Sequence, residues 1–335
     1  MPNVAGVGAS LILKTNERND MILGKKIIYG ALLCISLSGC GDSDDGGEVT
    51  AGTSGLAYTG VTTQANLTTG NGEEISASSY KNGDSGQDMG TTFTGVSQIN
   101  VEIGKPRAFR LAKTLVTAVK NIEPANSDEF FSGAVVTESD SDPGNCGGTA
   151  SYTTTLDDVT GDFNGSMTFD RYCESGTTIN GSITMSGTLN SMTMTMTAIS
   201  ITSGSDTARM DGTISFDSTS AATSVVTMNM KVKAAGSDDV FWMDNYVLTI
   251  AVVSGGEDLT MSGRFYHPSH GYVDISTTTP FRYTGTNLYP YPGVMVAAGS
   301  NGSTATLTSL STTEYQIDID TGTSVQSNTG LWAEL

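Results

Sequence analysis

The chain has 335 residues and a formal net charge of −19, with 35 acidic against 16 basic residues. That excess argues against nucleic acid or an anionic membrane surface as a charge-matched partner, since both reward a positive face. Only 15% of residues are charged and 40 are glycine. With Ser and Thr abundant as well, the expected surface is hydroxyl-rich strand rather than charged helix.

Residues 1–20 (MPNVAGVGASLILKTNERND) carry Glu17, Arg18 and Asp20 and fit no part of an export signal. Met21 is therefore read as the true start, and residues 1–20 as a start-site artefact. Lys25 and Lys26 form a short positive segment, and Ile27 to Leu37 is an apolar run of signal-peptide length. A membrane span needs about 20 apolar residues, so a transmembrane anchor is disfavoured. The run ends in Leu37-Ser38-Gly39-Cys40, which resembles the lipobox of bacterial lipoproteins. The resemblance implies cleavage of the signal peptide (21–39), lipidation of Cys40 and attachment to a membrane through two or three acyl chains. Such chains hold a protein firmly where one holds it marginally. Residues 40–55, including Gly41-Asp42-Ser43-Asp44-Asp45, read as a flexible acidic and glycine-rich tether. Asp42 stands one place beyond the position that governs inner-membrane retention, so the expected location is the cell envelope, at the outer membrane on an unspecified face.

Residues 56–132 read as a mixed segment. Gly72 to Lys81 predicts a short helix with acids in its first turn. Pro106 to Ile122 predicts an amphipathic helix, because Phe109, Ala112, Val116 and Val119 recur at helical spacing after a first-turn proline. Lys105, Arg107, Arg110, Lys113 and Lys120 lie on the same segment. Its apolar side is expected to face the core, with a basic lipid-binding surface as the competing reading.

Residues 133–335 read as one antiparallel β domain. Met192, Met194 and Met196 alternate with Thr193, Thr195 and Thr197; Val226, Met228, Met230 and Val232 alternate with Thr227, Asn229 and Lys231. Period two with one apolar face marks antiparallel sheet with a wet side. Turn residues recur at Asp162–Gly165, Glu174–Gly176, Ser203–Asp206, Gly236–Asp239, Gly255–Asp258 and Gly299–Gly302. A degenerate repeat, Met/Ile-x-Gly-x-apolar, places Gly181, Gly212 and Gly263 inside strands, with a partial copy at Gly165. Strand glycines mark bulges or bends. The fold class is therefore mainly β: a long antiparallel meander, curved into a half-barrel, barrel or sandwich, with one amphipathic helix near 106–122.

On the lipobox resemblance, Cys34 is expected to leave with the signal and Cys40 to be lipidated. Cys146 and Cys173, 27 positions apart, remain. In an oxidising compartment they are expected to form a disulfide, worth about 3–4 kcal/mol on the chain-entropy estimate. Neither a Cys-x-x-Cys spacing nor a nearby histidine supports a metal at these thiols.

Segments Tyr58-Thr59-Gly60 to Leu67, Phe169-Asp170-Arg171-Tyr172-Cys173 with Thr178 to Gly181, and Gly263 to Pro268 through Gly271-Tyr272-Val273-Asp274 and Thr279-Pro280-Phe281 resemble uncharacterised Gram-negative lipoproteins. The resemblance implies class and location and carries no activity. One helix against a long meander is also similar, in architecture alone, to the half-barrels of periplasmic lipoprotein carriers.

Candidate chemistry is sparse. Gly83-Asp84-Ser85-Gly86 matches the tetrapeptide around a trypsin-like nucleophile, but both histidines lie far downstream and no catalytic order fits. His267 and His270, near Asp274, are weak candidates for a transition metal, with no third ligand fixed by spacing. Asp157, Asp158 and Asp162 are weak candidates for calcium in a glycine-rich loop, without the EF-hand pattern. The methionine stripes suggest Cu(I) less than core packing or an acyl-chain cavity. The expectation is a non-enzymatic, membrane-anchored envelope lipoprotein of structural or surface-interaction role, with no cofactor and no nucleic-acid partner. The alternative is a binding module that shelters an apolar ligand or lipid within the curved sheet.

Overall fold

The structure, a computed structural model, describes residues 55–81 and 135–335 apart from 158, 175, 189–190, 221, 234–235 and 286. The signal peptide, Cys40, the tether, Gly83–Gly86, Asp158 and the helix expected at 106–122 lie outside the described residues.

The chain folds into one antiparallel sheet. Its strands are β1 (Val135–Pro143), β2 (Thr149–Asp157), β3 (Asp162–Glu174), β4 (Thr177–Thr188), β5 (Ser191–Ser203), β6 (Asp206–Ser220), β7 (Thr223–Lys233) and β8 (Val240–Val253). They continue with β9 (Gly256–His267), β10 (Gly271–Thr279), β11 (Phe281–Thr284), β12 (Val294–Ala298), β13 (Thr304–Ser309), β14 (Glu314–Asp320) and β15 (Val325–Leu331). Each pairs with the next, except that β12 pairs with β10 and β11 pairs with β9. The exception has a local cause. Pro280 has no N–H and cannot continue a ladder, so the chain steps there. β10 covers Ser262–His267 of β9 and β11 covers Gly256–Leu259. At the step, the Thr277 hydroxyl donates to the Met261 carbonyl and accepts its amide, standing in for the lost ladder bonds.

Side-chain alternation decides which face is buried. Met194 and Met196 are 1% and 2% exposed, while Thr193 and Thr195 are half-buried and Thr197 is exposed. Val226, Met228, Met230 and Val232 are buried, as are Ile317 and Ile319. Cross-strand register continues the pattern: Met194 stands opposite Met185 and Ile214. The segment expected to turn at Asp162–Gly165 is instead the start of β3, and Gly165 is a regular strand position opposite Met185.

The three full copies of the repeat sit at bulges. Gly263 (φ 121°) faces β8, where Asn245 and Tyr246 crowd opposite it between the pairs Asp244↔Arg264 and Val247↔Ser262. A Cβ on Gly263 would lie 2.2 Å from the Asn245 carbonyl oxygen, so only glycine fits. Gly181 faces the bulge residues Ala198 and Ile199 of β5, whereas Gly212, paired with Met196 beside that bulge, is held to glycine by β7, where a Cβ would lie 2.1 Å from the Asn229 carbonyl oxygen. Each bulged strand places one residue in left-handed conformation, at Arg171, Ala198 and Asn245. The Arg171 and Asn245 amides donate to the Asn180 and Asn229 side chains on the neighbouring strands. Bulges increase local twist, and this series runs across β3 to β9.

Residues 55–81 pack on the sheet. The Leu56 amide donates to Asp211, and the Tyr58 ring meets Trp242 and Tyr266 on the face opposite Met243 and Phe265. Residues 63–65 then bond to Tyr272 at the β9–β10 end: the Tyr272 amide to the Thr63 carbonyl and the Ala65 amide to the Tyr272 carbonyl. Beyond that crossing the chain enters the apolar side as helix α1 (72–81). Glu73 and Glu74 occupy its first turn, where the helix dipole favours acids. Ile75 and Tyr80 are buried. The Ser79 carbonyl accepts the Tyr246 hydroxyl of β8, the Tyr80 hydroxyl meets that of Tyr283 on β11, and Asn328 of β15 donates to Glu73. β8 and β15 are six strand spacings apart in the sheet order, roughly 29 Å if flat, against about 10–12 Å for a helix. The sheet therefore curls around α1. It does not close: β1 and β15 are its two edges.

Candidate functional site

The first turn of α1 and the tip of the β9–β10 hairpin bring together Glu74, His267 and His270. Their ligand-capable atoms all lie within 4.8 Å of one another, and among the described residues no other such group of three is formed by His, Cys, Asp and Glu. His267 Nε2 is 3.4 Å from Glu74 Oε1 and His270 Nε2 is 3.2 Å from Oε2, so each imidazole addresses its own carboxylate oxygen. The two rings stack at 4.7 Å between centroids.

Local sequence accounts for this geometry. Pro268-Ser269 forms the tight link that places the histidines on one side of a turn, closed by the His270 amide donating to the His267 carbonyl. The same carbonyl accepts the Tyr58 hydroxyl, and the Val61 amide donates to the Pro268 carbonyl. Burial pushes the Tyr58 phenol up to about 12, with Tyr266 adding to the shift, so it remains a donor at every physiological pH. Phe241 packs edge-on against the His267 ring at 5.3 Å. Desolvation holds the His267 imidazole below its ordinary pKa; the Glu74 carboxylate pulls the other way and the neighbouring His270 adds to the lowering. The His267 ring is buried, whereas Glu74 and His270 reach solvent.

Only the histidine pair was readable along the chain. Asp274, expected nearby, turns to Arg264 instead, at 2.9 Å, and Arg264 lies over the Tyr272 ring. Glu74 replaces it, from 196 residues upstream of His270. The sole signal for Glu74 was its place in an acidic first helical turn.

Of the calcium candidates, Asp157 and Asp162 are described, and both bond to Thr160 in the β2–β3 turn. Asp157 accepts the Val159 and Thr160 amides, and Asp162 accepts the Thr160 hydroxyl. Those bonds, Thr160 first, hold the Asp157 carboxyl below its usual range. Both carboxylates serve the β2–β3 turn. Of the methionine stripe, Met194, Met196, Met228, Met230 and Met261 are at most 2% exposed and pack in the core, Met185 is 7% exposed, and Met192 is half-buried at its edge. Cys146 and Cys173 are disulfide-bonded, with Cα atoms 5.1 Å apart.

The outer face of β2–β6 is a hydroxyl array. Thr153, Ser166, Thr184, Thr195 and Thr213 stand opposite one another on successive strands. Ser139–Thr153 and Thr193–Ser215 hydrogen-bond across strands at 2.9 Å. A shallow groove of about 360 Å³ on this face is lined by Thr153, Ser166, Thr184 and Thr195, among others.

Comparison with known proteins returns nothing: no protein-family model, no curated protein and no solved structure matches the chain.

Proposed function

We propose that this protein is a lipid-anchored component of the bacterial cell envelope, attached through Cys40 to the outer membrane. There it acts as a non-enzymatic structural or surface-interaction module. The observation that carries this reading is the sealing of the methionine-rich face by the protein itself. Met194, Met196, Met228, Met230, Met261 and Met295 are each at most 2% exposed, and α1 occupies the curl of the sheet. The part of the apolar face that α1 covers, at β8, β11 and β15, leaves no opening for an acyl chain, which supports the structural reading over the ligand-binding alternative.

The anchor rests on Lys25-Lys26, the apolar run and Leu37-Ser38-Gly39-Cys40. The Cys146–Cys173 disulfide supports an oxidising compartment, where such bonds persist. The hydroxyl array on the outer face supports contact with polar partners or solvent rather than with lipid. Intact-mass measurement of protein extracted from membranes tests the anchor. The expected species begins at Cys40 and carries diacylglycerol, and Cys40→Ser leaves an unprocessed chain that still contains Met21. Unlipidated wild-type protein retaining Met21 would contradict the reading.

A further inference from the structure

We propose that Glu74, His267 and His270 form a binding site for one divalent late first-row metal ion, with Zn²⁺ as its representative. The site is independent of the lipid anchor.

Ligand chemistry is the first ground. Two imidazoles and one carboxylate make a standard donor set for Zn²⁺ and its neighbours, three protein ligands leaving a further position for water. Distance is the second. Here the separations are 3.4 and 3.2 Å. A tetrahedral ion about 2.0–2.1 Å from each donor holds its ligand atoms about 3.3–3.4 Å apart. The two observed spacings, each to its own carboxylate oxygen, are close to that edge, and all three donors lie within 4.8 Å of one another. Facing arrangement is the third: each ring presents Nε2 to a different oxygen of one carboxylate, so the three donors border a common space.

Rigidity is the fourth ground. The hairpin tip is fixed by bonds from the Tyr58 hydroxyl, the His270 amide and the Val61 amide, and Phe241 walls the His267 ring. Little ordering remains for an ion to impose. Glu74 and His270 are partly exposed, which gives an entry path from solvent. Binding through Nε2 of His267 requires the ring proton on Nδ1. That atom now accepts the Ser269 amide at 3.3 Å, a long contact that loading would give up. The change is a tautomer shift with no net proton released by that ring, and it is a spectroscopic marker of occupancy.

The test is calorimetric titration of the full-length protein with Zn²⁺ at pH 7.5, together with Co²⁺ absorption and ring ¹⁵N shifts. The expected result is one ion per chain, visible d–d bands of a low-coordinate Co²⁺ centre and a proton on His267 Nδ1 after loading. Glu74→Gln and His270→Ala are each expected to weaken uptake by roughly tenfold or more. Asp157→Asn, at the turn that is not part of the site, leaves it unchanged. Far-ultraviolet spectra of the metal-free variants check that they fold; should either fail, His267 tautomer and Co²⁺ spectra of the wild type still decide. No saturable uptake by the wild type, an adventitious surface stoichiometry above one, or uptake by Glu74→Gln and His270→Ala as tight as that of the wild type would overturn the proposal.

Discussion

At the scale of single residues, Glu257 is the side chain least well served by its surroundings. It is 5% exposed on β9, and its Oε2 has no hydrogen-bond partner. Burial pushes its carboxyl above the ordinary range. A folded pKa above the unfolded one means the native state prefers the proton. The associated stability is complete below the unfolded value, about 4.3, and is lost as pH rises through the folded value. At neutral pH the charged form is thus a burden. Glu257→Gln is expected to raise stability at pH 7 by about 1 kcal/mol, read as a higher urea midpoint, and to gain little at pH 4, where the wild-type carboxyl is protonated. A variant destabilised equally at both pH values would show instead that the carboxylate is paired. Residue-scale legibility was uneven. His267 and His270 announce themselves as the only histidines, whereas Glu74 is one of many acids and acquires meaning only when α1 folds back on the hairpin. Tyr246 was invisible for the same reason: nothing local indicates that its hydroxyl will meet the Ser79 carbonyl.

At the scale of elements, period-two alternation was decisive wherever one face is dry. The Met192–Thr197 stretch is β5 with its methionines inward, as its pattern requires. A charge placed at Met194 is buried without a partner, and one at Thr195 stands on the hydroxyl face. Met194→Asp is expected to cost about 3–5 kcal/mol or to prevent folding, and Thr195→Asp to stay within about 1 kcal/mol, both read from urea midpoints. Equal effects would mean that a second layer covers the threonines. Helix α1 was legible from Glu73-Glu74 and its length, and the repeat glycines from their place inside strands. The opposing half of each bulge was not legible. Arg171, Ala198 and Asn245 adopt positive φ although non-glycine residues rarely do. The two asparagines that cap Arg171 and Asn245 lie on other strands, so the device is a property of the sheet and not of one segment.

At the scale of the molecule, the meander order follows from short turns between successive strands, and that much could be read directly. What the sequence left open, among half-barrel, barrel and sandwich, was decided by two non-local facts. Among the described strands the sheet does not close, with β1 and β15 as its ends, and residues 55–81 cross the β9–β10 end to lay α1 on the apolar side. Alternation reveals that a face is apolar but not what covers it. The exposed edges are polar: β1 carries Asp140, Asp142 and Pro143, and β15 carries Gln326, Ser327 and Asn328. The charges and proline of β1 resist strand addition, whereas β15 carries neither and exposes Val325 and Leu331. The proposed structural role requires that the curled sheet be filled by its own side chains and by α1, with no enclosed ligand. Native mass spectrometry of the membrane-extracted protein, with lipid extraction of the same sample, tests it most directly. The account predicts a mass equal to the chain from Cys40 plus its covalent acyl groups, with no further organic molecule. A stoichiometric, non-covalent lipid released on denaturation would contradict it.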